Sequence, residues 1–592
     1  MRSYGLLSIE GPDGAKKVID VTLGRKKADL AIINGKLLNV YTGELLDDYS
    51  VTIKGEWIAY VGSHPENTIG PATKVIDVSG KTIIPGLIDG HTHLVCKTDA
   101  SEFLKYTMTG GTTTIITETM EAFPIMGYEG VIDFLGSLSD QPIKIFATAP
   151  AMVSISKKAQ GISKKTLRKL LSRDDILGLG ESYWQTVLQK SEKYFPIFAE
   201  TLKYGKQLEG HSAGAKEEKL MAYIAPGISS CHEPINTEEV LERLRLGIHV
   251  MIREGSIRGD LASISRIKDS GIDFRRLVLV TDGIEPGDLL KKGYMEAVVQ
   301  KAIDLGFDPV IAIQMATINV AEHFSLDGII GGIAPGKYAD MIVIPNPEVI
   351  KAEYVISKGK IIAREGKLLI SPRKHAFSTR SLNSIHLLRK FESSDFFLPV
   401  KERSPHVTVR VIDQVTDLVT KERILSVPVI EGEIKSNVQE DILKVAAIER
   451  RYGSGKMFVG LIRGFQLNAG AIACSAAWDT FDIIVVGEND TDMAGAVNRI
   501  YELQGGAVVY SKGRVLAEIP LPIFGVMTDM PIEMLAKRMK KIKKITKELG
   551  FPFDDPLLTL VTLTGAAIPF LRICEEGLVN LKDGKTVGLI VT

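Results

Sequence analysis

The middle of the chain alternates between short apolar runs and longer amphipathic segments. Runs rich in β-branched residues predict buried parallel strands, which are apolar on both faces. Eight such runs lie between residues 82 and 282, and helical patterns such as 236–246 and 288–305 separate several of them. They end near His93, Thr117, Thr148, Glu181, His211, His232, Glu254 and Asp282. This count predicts an α/β fold, a (β/α)8 TIM barrel, with an open doubly wound sheet as the alternative.

Short strand patterns flank this middle region on both sides. The segments 51–53 and 57–61 surround the turn 54–56 and predict a hairpin. Similar apolar patterns return at 339–344 and 354–356. Because the two flanks can pair with each other, we expect a small split β-sandwich domain with the barrel inserted in it.

The pattern changes again after about residue 375. The run 483–487 predicts a strand, 492–503 a helix and 507–521 a hairpin. We therefore expect a C-terminal α+β domain. The expected division is 1–84 for the first part of the small β domain, 85–335 for the barrel, 336–372 for the return strands and 373–592 for the C-terminal domain.

Length, charge and cysteine content restrict the class of protein. A chain of 592 residues is long enough for two or three domains. Its 72 Lys and Arg balance its 72 Asp and Glu, so we expect neither nucleic acid nor membrane as a partner. Four scattered cysteines without a C-x-x-C pair fit a reducing compartment. With no N-terminal signal pattern and no apolar run of about 20 residues, we expect a cytoplasmic protein.

The basic run 537–544 belongs to an amphipathic pattern. Leu535, Met539, Ile542 and Ile545 recur at helical spacing and predict an apolar stripe. We expect the basic side chains of this run to lie on the solvated face of a helix.

Polar side chains end several of the predicted barrel strands. His91 and His93 follow the first strand and, being two residues apart, point to the same side. In a barrel, active sites lie at this end of the strands, so the strand-terminal residues converge. The other strand-terminal residues that we take as candidate ligands are Glu181, His211, His232 and Asp282. Four imidazoles and two carboxylates suit two divalent metal ions, with Glu181 as a bridge.

Each of these residues also has a structural interpretation. His211 alone is typical of a hydrogen-bonded core histidine, Glu181 of an acid at a helix N-terminus, and Asp282 of a turn before Gly283. Taken together, the position of all six residues at the ends of predicted barrel strands favours the metal site. Cys231 precedes His232 but points to the other side of an extended strand, which favours a structural role. The remaining histidines, His64, His249, His323, His375, His386 and His406, are expected to be structural or on the surface.

The motif Pro85-Gly86-Leu87-Ile88-Asp89-Gly90-His91-Thr92-His93 resembles the signature of the amidohydrolase superfamily. A glutamate rather than a lysine on the fourth strand resembles the adenine deaminase family within it. Further segments that resemble that family are 210–214, 232–233, 251–256, 313–319, 490–494 and 521–527. The resemblance implies a hydrolase of purine salvage that acts on a C–N bond of a cyclic amidine, converting adenine to hypoxanthine and ammonia.

The resemblance also implies cofactors and residue roles. Manganese or iron is implied as the metal, and zinc is possible from the ligand types. Asp282 is expected to take a proton from the attacking water and pass it to the leaving nitrogen, and Glu233 to protonate a ring nitrogen. The expected partner is a small molecule, adenine or a related heterocycle, and the protein is expected to be a homo-oligomer.

Several turns depart from the family pattern. The departing segments are 118–121, 182–184, 281–285 and 478–482. They lie close to the expected ligands in the sequence and leave the ligands themselves unchanged. Two alternatives therefore stay open: a related hydrolase acting on another purine, a cyclic amide or an N-acyl compound, and a non-catalytic relative. Trp478 is expected either to reach the pocket or an interface, or to belong to the core.

Overall fold

The computed structural model describes residues 5–94, 97–400 and 404–591. Eight parallel strands form its centre, and all eight occur where the apolar runs predict them. Five make one sheet in chain order: Leu87–Thr92, Thr112–Thr117, Lys144–Ala149, Ile176–Tyr183 and Gln207–His211. Three make a second sheet, also in chain order: Ser230–Cys231, His249–Arg253 and Leu277–Val280. A doubly wound sheet reverses its strand order at a switch point, and neither of these sheets does.

Backbone hydrogen bonds connect the two parallel sheets at both ends. The N–H of Ser229, just before the sixth strand, donates to the carbonyl of Leu208 in the fifth strand at 2.9 Å. The N–H of Asp282 donates to the carbonyl of His91 at 3.0 Å, which joins the eighth strand to the first. The carboxyl ends of the first and last strands are therefore neighbours, although His91 and Asp282 are 191 residues apart in the sequence.

Helices follow most of the parallel strands. Their bounds are Ala100–Thr107, Ala122–Leu138, Lys164–Leu171, Trp184–Gln189, Ser191–Lys203, Glu217–Ile224, Thr237–Arg245, Leu261–Ile264, Pro286–Lys292, Met295–Asp304, Pro309–Met315 and Ile318–His323. The side chain of Asn236 caps the helix expected at 236–246, accepting the N–H of Glu239. The single helix expected at 288–305 is two helices, because Gly293 adopts φ 93° and ends the first of them.

The flanking strands form one nine-stranded sheet. Its strands are Leu30–Asn39, Glu44–Lys54, Trp57–Gly62, Lys74–Asp77, Thr82–Pro85, Met341–Ile344, Tyr354–Ser357, Lys360–Arg364 and Lys367–Leu368. Antiparallel pairing of Met341–Ile344 with Thr82–Pro85 joins the two flanks of the middle region. The predicted hairpin and the predicted pairing of the flanks are thus present.

A helix that the hydrophobic pattern does not predict precedes this sheet. Leu6–Thr22 is helical apart from Gly11, which has φ 68° and is followed by Pro12. This interruption breaks the helical periodicity, so the sequence alone favours strands and turns there. The helix packs on the sheet, where Val18 and Val21 are buried and Trp57 Nε1 donates to Glu10 Oε1 at 3.1 Å.

The C-terminal part contains an eight-stranded sheet and a small three-stranded one. The larger sheet consists of His406–Gln414, Thr420–Pro428, Leu443–Glu449, Met457–Arg463, Ala471–Cys474, Asp482–Gly487, Gly506–Ser511 and Arg514–Pro520. The smaller one consists of Leu571–Cys574, Gly577–Asn580 and Lys585–Val587. The helices are Thr379–Leu382, Asp490–Leu503, Ile532–Glu548 and Pro556–Thr562. The strand, helix and hairpin predicted between 483 and 521 are all present.

The basic helix Ile532–Glu548 lies between the two parts of the chain. Leu535, Met539 and Ile542 are buried as predicted. The expectation that its basic side chains are solvated is wrong for Lys543, whose Nζ lies 2.9 Å from Glu285 and 2.8 Å from Asp555. Among the described residues, no helix is both long and apolar enough to cross a membrane.

Candidate metal centre and substrate cavity

All six predicted ligands come together at the carboxyl ends of the parallel strands. His91 lies in the first strand, Glu181 in the fourth and His211 at the end of the fifth. His93 and His232 directly follow strand ends, and Asp282 lies two residues after the end of the eighth strand. They fall into three overlapping groups whose ligand atoms lie within 4.8 Å of one another: His91, His93, Glu181 and Asp282; Glu181, His211 and His232; and His232, Glu233 and Asp282. Glu233 thus joins the cluster that the sequence predicts.

Three side chains surround one oxygen of Glu181 on the first-strand side. Nε2 of His93 lies 3.0 Å and Nε2 of His91 3.2 Å from Glu181 Oε1. Both of these nitrogens lie 3.3 Å from Asp282 Oδ1. Two imidazoles and two carboxylates therefore aim their ligand atoms at one small region.

The other oxygen of Glu181 faces the fifth strand. Nδ1 of His211 lies 2.8 Å from Glu181 Oε2. Nε2 of His232 lies 3.7 Å from Glu181 Oε1 and 3.0 Å from Glu233 Oε1. Glu181 therefore stands between two sets of histidines, as a bridging carboxylate requires.

The donor atoms fit divalent metal ions. Nε2 of His91 is buried and has no hydrogen-bond partner among the described residues, so a cation would satisfy it. Imidazole and carboxylate ligands are those of manganese, iron and zinc sites. Burial alone would raise the pKa of Glu181, but His232 and His211 hold it well below its usual range. Burial likewise opposes ionisation of Asp282, and His91 and His93 hold its pKa low, so both carboxylates are charged donors.

A buried hydrogen-bond network fixes the first strand against the eighth beneath the cluster. Asp89 Oδ2 accepts the hydroxyl of Thr281 at 2.5 Å and that of Tyr294 at 2.6 Å. Asp282 follows Thr281 with φ 53°, in the left-handed region that aspartate tolerates better than most residues. This bend turns the Asp282 carboxylate back over His91.

Arg253 connects the two carboxylates that are expected to move protons. Its Nη1 donates to Glu233 Oε1 at 2.8 Å and to Asp282 Oδ2 at 3.3 Å, and its Nη2 donates to Asp260 Oδ2 at 2.9 Å. Burial would raise the pKa of Glu233, but Arg253 and His211 lower it to about 2. Glu233 is therefore a carboxylate and must gain a proton before it can donate one. Arg253 is not recognisable from the local pattern, because the polar Glu254 follows it and marks the end of the predicted strand.

Two glutamates of the departing turn 118–121 lie directly behind the first-strand histidines. Glu121 Oε1 is 2.5 Å from Nδ1 of His93 and fixes which ring nitrogen faces the cluster. Glu118 is buried below His91, 3.8 Å from its Nδ1. Burial raises the pKa of Glu118 to about 7 against the attraction of His91.

The cluster opens into a cavity of about 310 Å³. Its wall includes Met120 and Tyr183 from the middle region and Leu418, Trp478 and Ile568 from the C-terminal part. Trp478 thus reaches the pocket, one of the roles expected for it. The C-terminal part therefore supplies one wall of the cavity beside the cluster.

The residues expected to be structural do not join the cluster. Cys231 is buried with its Sγ 2.7 Å from Ser212 Oγ. His323 pairs with Glu209 at 2.9 Å and His375 with Asp133 at 2.8 Å. The described cysteines, Cys231, Cys474 and Cys574, are buried and unbridged, and Cys96 lies outside the described residues.

The strand layout and the donor cluster define an amidohydrolase, a class of metal-dependent hydrolases. The amidohydrolase family model matches residues 82–362, and the model of the adenine deaminase C-terminal domain matches residues 417–585. A solved structure of molinate hydrolase is 18% identical, with a TM-score of 0.45, over 57% of this chain and 95% of that one.

Curated relatives match over nearly the whole length. Adenine deaminase of Moorella thermoacetica is 35% identical over 97% of this chain and 98% of its own. Adenine deaminase of Cenarchaeum symbiosum is 33% identical over 96% of this chain and 94% of its own. The chain belongs to the adenine deaminase family.

Proposed function

We propose that this protein hydrolyses adenine to hypoxanthine and ammonia, a reaction of purine salvage. The observation that carries the proposal is a cluster of four histidines and three carboxylates at the base of a cavity, in a chain whose relatives over nearly the full length are named adenine deaminase. A cavity of about 310 Å³ is at the small end of ligand sites and suits a single heterocycle.

The donor groups support a site for two divalent ions, manganese or iron, with zinc as a further candidate. His91, His93 and Asp282 would hold one, His211 and His232 the other, and Glu181 would bridge them. Two such ions supply Lewis acidity and make water a nucleophile at neutral pH.

Two carboxylates are placed to move protons. Asp282 has one oxygen toward His91 and His93 and the other toward Arg253. It would accept the proton of the attacking water and deliver it to the leaving amino group. Glu233, which begins as a carboxylate, would take up a proton released in the attack and pass it to the ring nitrogen beside the reacting carbon.

We propose a closed (β/α)8 TIM barrel as the framework of this site. The hydrogen bonds from Ser229 to Leu208 and from Asp282 to His91 support closure at both seams. We propose the domain division that the sequence predicts: the barrel at 85–335, a small β-sandwich domain formed by 1–84 and 336–372, and a C-terminal domain at 373–592. We also propose that the protein is a homo-oligomer located in the cytoplasm.

The rival functions are less favoured. The turns 118–121 and 478–482 depart from the family pattern and suggest a related hydrolase with another substrate. The relatives that match over nearly the full length, however, are named adenine deaminase. A non-catalytic relative would not need a complete donor set around Glu181.

Ammonia release from adenine by manganese-loaded protein tests the proposal. We expect hypoxanthine and ammonia in equal amounts, and loss of both after the metal is removed. The control is the His93→Ala variant, loaded in the same way, which lacks one ligand. A panel of other purines and cyclic amides is assayed in parallel. Absence of ammonia from adenine, together with turnover of another compound of the panel, would assign a different substrate.

A further inference from the structure

A carboxylate of the C-terminal part stands on the cavity wall away from the strand ends. Asp479 lines the cavity and is only 4% exposed. Its Oδ1 accepts the hydroxyl of Tyr183 at 2.9 Å, and its Oδ2 accepts the N–H of Ala566 at 2.8 Å. Each carboxylate oxygen has two lone pairs, so both retain acceptor capacity that no described hydrogen bond fills.

The backbone of Asp479 is held in an uncommon conformation. Its φ is 62°, in the left-handed region. Such conformations persist where the surrounding structure enforces them, and they concentrate at functional sites. Among the carboxylates that line the cavity, Asp282 shares this feature.

Tyr183 sets the distance between Asp479 and the cluster. The ring of Tyr183 contacts the ring of His211 edge-on, with centroids 4.9 Å apart, and its hydroxyl reaches Asp479. One tyrosine side chain therefore spans the gap from a ligand histidine to the carboxylate. A purine has a similar long axis. Its six-membered ring bears the amino group at one end, and its imidazole N–H lies at the other.

We propose that Asp479 accepts a hydrogen bond from the imidazole N–H of a purine base and so selects free bases over N9-substituted purines. This inference rests on the proposed function and specifies its substrate class. Burial raises the pKa of Asp479 to about 7, so an N–H donor in the cavity would favour its charged form. With a substituent on N9 the donor is lost, and the buried carboxylate has only its hydrogen bonds from Tyr183 and Ala566, so the N9-substituted purine gains no hydrogen bond from it.

The alternative is a purely structural role, in which Asp479 only connects the C-terminal part to the fourth strand through its hydrogen bonds. A purely structural tie would alter stability and the turnover of every substrate alike. A recognition role changes the ratio between substrates. The informative pair is adenine and 9-methyladenine, because 9-methyladenine keeps the reacting amino group and has no imidazole N–H.

The experiment measures kcat and KM for both compounds with the manganese-loaded full chain. We expect the wild type to prefer adenine by at least about 100-fold in kcat/KM, as sites built around a hydrogen bond do. In Asp479→Ala the preference should fall below about 10-fold, mainly through a higher KM for adenine. Asp479→Asn retains the size of the side chain but leaves one acceptor oxygen for three donors, so it should also lose most of the preference.

Two further variants serve as controls. Asp482→Asn changes a buried carboxyl of the same segment that does not line the cavity, and should retain the wild-type preference. Tyr183→Phe removes a donor to Asp479 and leaves its acceptor oxygens in place, so most of the preference should remain.

The outcomes separate the two proposals. Equal turnover of adenine and 9-methyladenine by the wild type overturns the inference without any variant. Unchanged preference in a folded Asp479→Asn or Asp479→Ala protein overturns it as well, and in both cases adenine deamination stands. If the wild type releases no ammonia from adenine, the proposed function fails and this inference fails with it.

Discussion

Arg253 and Glu233 form a buried ion pair at the edge of the histidine cluster, with Nη1 2.8 Å from Oε1. The same guanidinium reaches Asp282 and Asp260, so three carboxylates share one cation. The planar fork of arginine supplies donors in fixed directions, which a lysine cannot reproduce. Arg253 therefore sets the orientation of Glu233 and Asp282, the two carboxylates that we propose to move protons, relative to the cavity.

Replacement of Arg253 should lower turnover more than it lowers metal content. Arg253→Met leaves Glu233 and Asp282 without their common donor, and we expect kcat to fall by about 100-fold or more. The unpaired buried carboxylates should also reduce stability by about 3–5 kcal/mol. The measurements are ammonia release, elemental analysis and urea unfolding.

Arg253→Lys provides the comparison for that variant. It restores a positive charge without the fork geometry, so stability should recover further than kcat. Wild-type kcat in a folded Arg253→Met protein would rule out the positioning role.

Asp282→Asn should leave the fold intact and lower turnover by about 10³-fold or more. An amide cannot accept the proton of the attacking water, although it retains the size of the carboxylate. Circular dichroism checks the fold, and an ammonia assay checks the rate. Ammonia release near the wild-type rate would remove Asp282 from the proton pathway.

Glu181→Gln should reduce the amount of bound metal. Both oxygens of Glu181 face histidines, 3.0 Å from His93 and 2.8 Å from His211, and an amide offers one weakly donating oxygen in place of two. Elemental analysis after manganese loading and gel filtration measures the loss. Glu254→Gln is the matched control, since Glu254 directly follows a parallel strand but pairs with Lys301 outside the cluster. Equal metal content in the two variants would argue against a bridging carboxylate.

The contact between Asp133 and the segment after residue 372 should be acid-sensitive. Burial alone would raise the pKa of Asp133, but His375, Ser381 and the N–H of Ser378 hydrogen-bond to it and lower the pKa below its ordinary value of 3.8. A carboxyl with a lowered folded-state pKa stabilises the fold above pH 3.8, and this contribution is lost as the pH falls through the folded-state pKa.

Asp133→Asn removes that contribution and supplies the test. At pH 7 its Tm should lie about 1–3 °C below that of the wild type. As the pH falls from 5 toward 3 the gap should close, because the wild type loses the same interaction. Scanning calorimetry of both proteins at each pH measures the difference, and a gap that widens in acid would contradict the sign.

The predicted ligands come together because they lie at the carboxyl ends of parallel strands. His91, Glu181, His211, His232 and Asp282 are recognisable from local patterns alone: an apolar run followed by a polar side chain. Parallel strands place such residues at one edge whatever the details of packing. The strands, the flanking hairpin and the helix at 490–503 also follow from the sequence, because local hydrophobic patterns are sufficient to predict them.

Other parts of the site depend on long-range contacts. Tyr183 and Asp479 are 296 residues apart in the chain and share a hydrogen bond. Lys543 belongs to a helix with an ordinary amphipathic pattern, yet it pairs with Glu285, 258 residues away. Nothing in the local sequence around either residue specifies its partner.

By itself, the sequence determined which histidines and carboxylates gather at the strand ends and which strands carry them, because hydrophobic periodicity and strand direction act locally. Only the tertiary structure decided which groups surround those side chains. Arg253 between two carboxylates, Glu121 behind His93 and the C-terminal wall around Asp479 result from packing between distant segments. These contacts shape the cavity, so the choice of substrate depends on the part of the molecule that local patterns do not encode.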